Sequence, residues 1–341
     1  MLEHPDYDEH ARVVFARDST TGLDAIIAVH SLALGPALGG VRFRQYPGPD
    51  DALGDALRLS KAMSYKNALG GRPFGGGKAV ILGSPVTGKS SSLLETFGNE
   101  VDRLGGDYIA AEDAGVTPTD IATIRHRTAH VRNIAADRGG PAPYTAYGVF
   151  IGIRTAVRQA LNRGLRGTTV SVQGLGGVGD DLCRWLSDGG ADLIVSDIDA
   201  DRAEAAARRY GGRVVEPAIA HSVAADVFAP CAFGAGLNST SIPQIGAPIV
   251  AGSANNQLET AEDGARMHAR GILYAPDYVI NAGGIRATEA PHVPFDHAAA
   301  MRRVEGIADT LTTIFDVSTR SDSATSEVAD AMARERLASG R

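Results

Sequence analysis

The chain has few cysteines, a single tryptophan and no long apolar run. Its two cysteines, Cys183 and Cys231, are too few for a disulfide framework, which favours a reducing compartment and predicts a cytoplasmic protein. Its apolar runs are far shorter than the ~20 residues that cross a bilayer, so no membrane-spanning helix is expected. The first residues, MLEHPD, lack the basic stretch and apolar core of a signal peptide.

Positive charge is also scarce. The chain carries 33 basic and 40 acidic residues, a net charge of −7, whereas a nucleic-acid surface requires a basic patch. We therefore expect neither nucleic acid nor membrane as a partner, and a small-molecule ligand instead. Glycine is abundant, with 41 residues clustered at turns without a repeat period.

A length of 341 residues predicts two domains. Residues 137–143, with two glycines and two prolines, are the best candidate linker. Before them strands and helices are mixed; after them strands and helices alternate, which predicts a Rossmann-type doubly wound parallel sheet. We therefore predict an α/β fold with a substrate domain at residues 1–136 and a nucleotide-binding domain at residues 143–311. A C-terminal helix from about 312 to 341 is expected to pack back on the first domain.

Local patterns place the main elements of the first domain. Asp50 or Asp51 is expected to cap a helix that ends near Lys66. A strand is expected to begin directly after Lys78, at residues 79–82. Residues 301–337 are expected to form two helices.

A dinucleotide fingerprint lies in the second domain. Gly174-Leu-Gly-Gly-Val-Gly179 follows a predicted strand and opens a predicted helix, and Asp197 ends the next strand 23 residues after Gly174. The glycines permit a tight turn, close approach of the pyrophosphate and close helix packing, while Asp197 accepts from the ribose 2′-hydroxyl, which favours NAD. Arg202 is the one nearby group that suits a 2′-phosphate, so NADP stays open. The candidate cofactor residues are Gly174, Gly176, Gly177, Val178, Gly179 and Asp197.

Two lysines in a glycine-rich region indicate an anionic substrate. Lys66 lies twelve residues before Lys78, which follows three glycines. One ammonium group can bind a carboxylate, while the other, its pKa lowered by its neighbour, acts as a base. Together with a nicotinamide fold, this suits oxidative deamination. Asp113, at the end of a predicted strand, is the candidate acid. Taken singly, each of these residues is better explained structurally: Lys66 as a solvated helix end, Lys78 as a strand start and Asp113 as a cap or turn former.

Two further patterns compete with this interpretation. The segment Gly83–Ser90 matches the Walker A pattern between a predicted strand and a helix, which makes a P-loop ATPase the alternative from another class. Pro85 removes an amide from the loop that would cradle phosphate, which counts against it. His126 and His130 have zincin spacing, but Arg127 stands where that motif needs Glu, so no metal site is expected.

With these residues in view, the chain resembles the amino-acid dehydrogenase family of glutamate, leucine, valine and phenylalanine dehydrogenases, closest to the leucine and valine enzymes. The resemblance runs from about Gly22 to Gly284 and rests on ordered motifs rather than on any single one. They are Gly35–Gly40, Met63–Asn67, Gly75–Lys78, Ala111–Asp113, Thr145–Gly148, Ala229–Cys231 and Tyr274–Gly284.

The resemblance implies an N-terminal substrate and oligomerisation domain, a homo-oligomer and a role for each motif. Lys66 resembles the lysine that binds the substrate carboxylate, Lys78 the catalytic lysine that activates water, and Asp113 the carboxylate that exchanges protons with the amino group. The other positions that it assigns to substrate are Leu38, Gly39, Gly40, Met63, Asn256, Ile285 and Thr288. Thr145 and Asn281 are assigned to the nicotinamide end of the cofactor.

The resemblance also limits the substrate. Glutamate-specific members carry a lysine where this chain has Leu38, so a second carboxylate would be buried unpaired, and an apolar amino acid is expected. A branched-chain substrate is the first expectation and an aromatic one the alternative. Arg286 and Thr288 depart from the family pattern, which predicts a reshaped pocket and leaves open a relative with narrowed or lost activity.

Overall fold

The computed structural model describes residues 3–132, 140–232, 234–288 and 295–340. They form two units: residues 3–132 with residues 333–340 make up the first, and the described residues between 140 and 332 make up the second. Within the first unit, Arg334 Nε donates to Tyr65 Oη at 3.1 Å and its guanidinium lies over the Tyr65 ring. The first unit is therefore built from two separate stretches of chain.

The first unit contains a six-stranded sheet of order β1-β2-β4-β3-β5-β6. The pairs β1/β2 and β2/β4 are antiparallel and the other three pairs are parallel. The strands are β1 (Arg12–Asp18), β2 (Leu23–Ser31), β3 (Ala37–Arg44), β4 (Gly75–Leu82), β5 (Tyr108–Glu112) and β6 (Val131–Arg132). The helices are α1 (Pro49–Leu69), α2 (Ser91–Arg103) and α3 (Pro118–Arg125).

Alternation along the strands divides the core of this unit between the two faces of the sheet. Ile26 and Val80 pack with Leu57 of α1 on one face. Ile27 and Ile81 belong to the cluster on the other face, which contains residues of α2 and α3. Because successive side chains of a strand point to opposite faces, Lys78 lies on the α1 face with Val80.

The second unit contains a six-stranded parallel sheet of order β12-β11-β10-β7-β8-β9. Its strands are β7 (Thr169–Gln173), β8 (Asp192–Ser196), β9 (Arg213–Val214), β10 (Val227–Pro230), β11 (Ile249–Val250) and β12 (Leu273–Tyr274). The chain winds outward from β7 in one direction and from β10 in the other. The point between β7 and β10 is thus the topological switch at which doubly wound folds bind ligands. The predicted fold class is confirmed.

Nine helices of the described chain belong wholly or partly to this second unit. They are α4 (Ala142–Leu161), α5 (Gly177–Asp188), α6 (Ala200–Tyr210), α7 (Ala261–Ala269), α8 (Asp277–Ile280), α9 (Gly283–Arg286), α10 (His297–Glu305), α11 (Ile307–Ser321) and α12 (Thr325–Ser339). No helix in these ranges is both long and apolar enough to span a membrane.

Several local predictions were wrong. The cap of α1 is Gly48, with Pro49 in its first turn, because proline fixes a helical φ and lacks the amide that a cap would satisfy. Strand β4 begins at Gly75 rather than after Lys78, so Lys78 is a mid-strand residue. The C-terminal region holds three helices rather than two, since Gly306 ends α10 and precedes α11. Of the proposed linker, residues 137–139 lie outside the described ranges, and residues 142 and 143 belong to α4.

Candidate active site

The first unit holds a buried ion pair on its sheet. Lys78 of β4 is only 5% exposed, and its Nζ donates to Asp113 Oδ2 at 2.7 Å. Asp113 directly follows β5. Burial lowers the pKa of Lys78 below its ordinary value, and the Asp113 carboxylate opposes that shift. Burial alone would raise the pKa of Asp113, but Lys78 and Arg42 outweigh it and lower that pKa to about 2.

Asp113 has a second cationic partner. Arg42 Nε donates to the same oxygen, Asp113 Oδ2, at 3.0 Å, and Arg42 Nη1 donates to Asp55 Oδ2 at 3.0 Å. Tyr46 Oη also donates to Asp55, at 2.7 Å. Lys78, Asp113, Arg42, Asp55 and Tyr46 therefore form one continuous network, which we call the Asp113 network.

Glycines allow this network to lie close to the backbone. A methyl group on Gly40 would stand 2.6 Å from Asp113 Cβ, inside van der Waals contact. A methyl group on Gly39 would stand 1.6 Å from the Gly77 carbonyl oxygen of the neighbouring strand. Substitution at either position would displace the strand or the carboxylate, which explains why glycine occupies both.

The other substrate candidates of the first unit occupy β3 and α1. Leu38 is buried at 1% exposure in β3, opposite Gly76 of β4. Lys66 lies in the last turn of α1, and Met63 lies one turn earlier; both are half-buried. Lys66, Lys78 and Asp113 thus belong to the same unit, but the hydrogen-bonded pair among them is Lys78 with Asp113.

The glycine-rich segment of the second unit has the geometry of a phosphate-binding turn. Gly174 follows β7 with φ +96°, a conformation that glycine adopts readily, and Gly176 is the N-cap of α5. A methyl group on Gly179 would lie 1.9 Å from the Gly174 carbonyl oxygen, whereas one on Gly176 would meet no atom within 4 Å. The helix therefore packs tightly on the turn at Gly179 and leaves space beside its N-terminus at Gly176. Gly177 and Val178 form the first turn of α5.

Asp197 directly follows β8 and braces this turn. Its Oδ2 accepts from Leu175 N at 2.7 Å, and Arg202 Nη1 lies 3.3 Å from its Oδ1. Burial would raise the pKa of Asp197, but the backbone amides of Asp199 and Leu175 and the Arg202 guanidinium lower it. The open space at Gly176, the helix N-terminus and this ionised carboxylate fit a dinucleotide.

The remaining candidates of the second unit are held by local hydrogen bonds. Thr145 Oγ1 donates to the Pro141 carbonyl at 3.0 Å. Asn281 is 3% exposed, and its Nδ2 donates to the Ser253 carbonyl and to Asn255 Oδ1, at 3.1 and 2.8 Å. Asn256 is exposed with φ +50°, and its carbonyl accepts from an amide at 2.6 Å.

The residues that depart from the family pattern have structural partners. Thr288 is buried and its Oγ1 donates to the Gly284 carbonyl at 3.0 Å. Arg286 Nη2 donates to Thr310 Oγ1 at 2.7 Å, and Arg303 Nε donates to the Arg286 carbonyl at 3.0 Å. Ile285, which directly precedes Arg286 in the sequence, is half-buried. Arg286 therefore ties α9 to α10 and α11.

The Walker-like segment is a closed turn. Gly88 N donates to the Ser84 carbonyl at 2.8 Å, and the amides of Val86 and Thr87 donate to Ser84 Oγ, both at 3.3 Å. Lys89 Nζ donates to Asp120 Oδ2 at 2.7 Å. The amides and the lysine that would bind phosphate are thus already hydrogen-bonded to other groups of the protein, which opposes the P-loop alternative.

The histidine pair forms no metal centre in the described ranges. His126 ends α3 while His130 follows it outside the helix, so the two residues do not share a helix face. No group of three His, Cys, Asp or Glu side chains that could hold a metal occurs in residues 3–132, 140–232, 234–288 and 295–340.

The sequence interpretation missed Arg42 and Asp55. Arg42 follows Gly40 by two residues on β3, so both face the same side of the sheet, and Asp55 lies on the helix that covers it. Strand alternation puts Arg42 on the same face as Gly40, but only the pairing of β3 with β5 brings it beside Asp113, and only the packing of α1 identifies Asp55 as its second partner.

Comparison with known proteins agrees with this geometry. The profile described as "Glu/Leu/Phe/Val dehydrogenase, dimerisation domain" matches residues 9–130, and "Glutamate/Leucine/Phenylalanine/Valine dehydrogenase" matches residues 195–290. The leucine dehydrogenase of Bacillus cereus is 43% identical, over 99% of this chain and 93% of the relative. The valine dehydrogenase of Streptomyces virginiae is 37% identical, over 100% and 97%. The crystal structure of L-tryptophan dehydrogenase from Nostoc punctiforme aligns with a TM-score of 0.85 and 42% identity, over 97% and 96%.

Proposed function

Because the chain belongs to the Glu/Leu/Phe/Val dehydrogenase family and is an amino-acid dehydrogenase, we propose that it oxidatively deaminates an apolar L-amino acid with NAD⁺, reversibly. The reaction consumes water, and its products are the 2-oxo acid, ammonium, NADH and a proton. The observation that carries the proposal is the Lys78–Asp113 pair at 2.7 Å, a buried amine and an ionised carboxylate in one network.

Each residue of the pair has a separate task. Asp113 accepts a proton from the substrate ammonium group, which frees the nitrogen lone pair for imine formation. Bound NAD⁺ supplies the acceptor for the hydride that leaves Cα. Lys78 then takes a proton from water as the water adds to the imine carbon. Asp113 returns its proton to the nitrogen, ammonia leaves, and the remaining hydroxyl proton is released to solvent as the carbonyl forms. Burial favours this task because it lowers the pKa of Lys78 toward the range in which a lysine acts as a base.

Substrate binding draws on the same unit. Lys66 pairs with the α-carboxylate, and Gly40 lets the Asp113 side chain lie close to the strand, beside the substrate amine. Leu38 is buried and offers no counter-charge. A second substrate carboxylate would therefore be desolvated without a partner, which costs at least about 2 kcal/mol. A branched-chain amino acid is the favoured substrate, since leucine and valine dehydrogenases are among the relatives.

An aromatic amino acid is the second candidate. The relative aligned at 42% identity over nearly the whole chain is named an L-tryptophan dehydrogenase. Thr288 and Ile285 lie in the segment assigned to the side-chain pocket, and the Thr288 hydroxyl donates to the Gly284 carbonyl, so it already has a partner within the protein.

We assign NAD rather than NADP as the cofactor. Gly174, Gly176, Gly177, Val178 and Gly179 would hold the pyrophosphate at the N-terminus of α5, and Asp197 would accept from the ribose 2′-hydroxyl. The Asp197 carboxylate would repel a 2′-phosphate. The nearby Arg202, which could attract one, is already paired with Asp197 at 3.3 Å.

We also propose that the protein is a homo-oligomer assembled through its first unit. The profile matched by residues 9–130 is described as a dimerisation domain. Strand β1 is at one edge of the first sheet, and Phe15 on it is 59% exposed, which suits contact with a second copy. Light scattering after size-exclusion chromatography tests this, since a monomeric mass would contradict it.

The enzymatic test is a panel assay. Purified protein is mixed with NAD⁺ at alkaline pH and single L-amino acids, and NADH absorbance is followed. We expect reduction with leucine, valine or isoleucine and little with glutamate; a preference for tryptophan or phenylalanine selects the second candidate. Silence across the panel with intact NAD⁺ binding would establish a relative that has lost the activity.

A matched pair of variants tests the role of the lysine. Lys78→Ala is expected to lower kcat by about 10²–10⁴ with intact folding, because it removes the general base. Lys89→Ala, in the Walker-like turn, serves as the control and retains turnover per folded molecule. Wild-type turnover in Lys78→Ala would rule out the assignment.

A further inference from the structure

Asp113 uses its two carboxylate oxygens differently. Its Oδ2 accepts from both Lys78 Nζ, at 2.7 Å, and Arg42 Nε, at 3.0 Å. Its Oδ1 accepts no hydrogen bond from the residues that the structure describes. This oxygen is not buried, so it retains contact with solvent. The side chain as a whole is 26% exposed. One oxygen is therefore anchored and the other is accessible.

Arg42 is itself fixed from the opposite side. Its Nη1 donates to Asp55 of α1 at 3.0 Å, and Asp55 also accepts from Tyr46 at 2.7 Å. Arg42 is mostly buried, with 19% of its side chain exposed, so its charge is little screened. A guanidinium can bridge two carboxylates through separate nitrogens, whereas a lysine ammonium is a point charge on a flexible stem.

We propose that Arg42, held by Asp55, is a positioning residue that anchors Asp113 Oδ2 beside Lys78 and so leaves Oδ1 to exchange protons with the substrate amine. This inference rests on the proposed deaminase function and adds two residues that do not contact the reacting atoms. The network fixes both the direction of Asp113 and the electrostatic balance around Lys78.

The charges of the network act on Lys78 with opposite signs. Burial has the largest effect and lowers the pKa of Lys78, whereas the Asp113 carboxylate raises it. The Arg42 guanidinium also lowers this pKa, and the Asp55 carboxylate raises it. Two other titratable groups lie near Asp113: Glu112, whose pKa is raised by burial and by Asp113, and Tyr108, whose Oη donates to the Gly39 carbonyl. Neither side chain is hydrogen-bonded to Arg42 or Asp55.

Three variants separate charge from position. Arg42→Gln removes the cation, so we expect the acid limb of the kcat/KM profile for amino-acid oxidation to move up by about one pH unit. Asp55→Asn removes the carboxylate, so the limb is expected to move down, although kcat also falls. Arg42→Lys keeps the charge and loses the bridge: the limb stays within about 0.3 units of wild type while kcat falls about tenfold.

A control and a second readout keep the test decisive. Arg127→Gln breaks an exposed ion pair with Glu95 elsewhere in the unit and is expected to leave the profile unchanged. The pH dependence of Lys78 carbamylation by cyanate, followed by mass spectrometry in the free protein, reports the same ionisation without turnover. Circular dichroism verifies the fold of each variant.

The outcomes distinguish this inference from the proposed function. Opposite shifts in Arg42→Gln and Asp55→Asn, together with a kcat about tenfold lower at an unmoved limb in Arg42→Lys, support the positioning role. Coincident midpoints in folded variants overturn it, even if the wild type oxidises amino acids. Absence of amino-acid oxidation by the wild type, with opposite carbamylation shifts, would refute the deaminase function and retain the network.

Discussion

The glycine-rich turn of the second unit permits a paired test of fold against function. Gly176 and Gly179 stand three residues apart in the same turn. Beside Gly176 a methyl group would meet nothing within 4 Å, whereas at Gly179 it would lie 1.9 Å from a backbone carbonyl oxygen. Gly176→Ala and Gly179→Ala therefore add the same atoms to two very different environments.

The expected stability changes follow from these distances. Gly176 has φ −67° and ψ −169°, which alanine adopts without strain, so the gain in unfolded-state rigidity offsets the loss of a good N-cap residue. We expect the free energy of unfolding of Gly176→Ala to stay within about 1 kcal/mol of wild type. In Gly179→Ala the overlap exceeds about 1 Å and involves backbone on both sides, so α5 must move, at a cost of about 3 kcal/mol or more.

The binding changes follow the opposite order. The space beside Gly176 is where we place the pyrophosphate, so a methyl group there is expected to weaken NAD⁺ binding at least about tenfold while the fold is preserved. Trp185, the single tryptophan, lies in α5, so its fluorescence can report both urea unfolding and cofactor binding. Wild-type affinity in Gly176→Ala, or equal destabilisation of the two variants, would refute this account of the turn.

Three further predictions concern charge. Asp197→Asn, which retains an acceptor for the Leu175 amide, is expected to lower the ratio of kcat/KM with NAD⁺ to kcat/KM with NADP⁺ at least about tenfold. Adding Arg202→Ala should reverse the improved use of NADP⁺, because it removes the nearby cation. An unchanged ratio in Asp197→Asn would contradict our cofactor assignment. Burial, with a smaller contribution from His10, lowers the pKa of His30 to about 4. As pH falls below about 6.5, the unfolded chain therefore binds more protons at this residue than the folded chain does. The free energy of unfolding should therefore drop by about 2 kcal/mol between pH 7.5 and 5, and urea titrations of His30→Gln should show a smaller drop; an identical slope would exclude His30 as the cause. Lys89→Ala leaves the largely buried Asp120 without its cation and is expected to cost about 1–3 kcal/mol in urea unfolding, whereas no loss would show that the pair is only incidental.

The second unit was the more predictable part from sequence. The fingerprint at Gly174 fixes the order of strand, turn and helix, and β7, the turn at Gly174 and α5 follow that order. The ends of elements were less predictable. Three glycines masked the start of β4, because glycine has low strand propensity and the neighbouring strands impose the extended conformation.

The candidate site could be predicted residue by residue but not as a network. The motifs identified Lys78 and Asp113 as functional candidates, and the structure brings them to 2.7 Å. The link from Arg42 to Asp55 joins a strand to the helix that covers it, a tertiary contact with no local sequence signal. Likewise, Arg286 was unexpected as part of a substrate pocket, and its bond to Thr310 depends on helices that return to α9.

The first unit is completed by residues 333–340, which follow the whole second unit in the chain. During synthesis, the sheet that carries Lys78 is translated before the second unit, but Arg334, the partner of Tyr65, is translated only after it. The nascent N-terminal part must therefore wait, with the surface around Tyr65 uncovered, while nearly two hundred residues are added. A truncation that removes residues 333–340 would therefore destabilise the first unit, most of which lies before residue 139, rather than the second unit that directly precedes these residues in the chain.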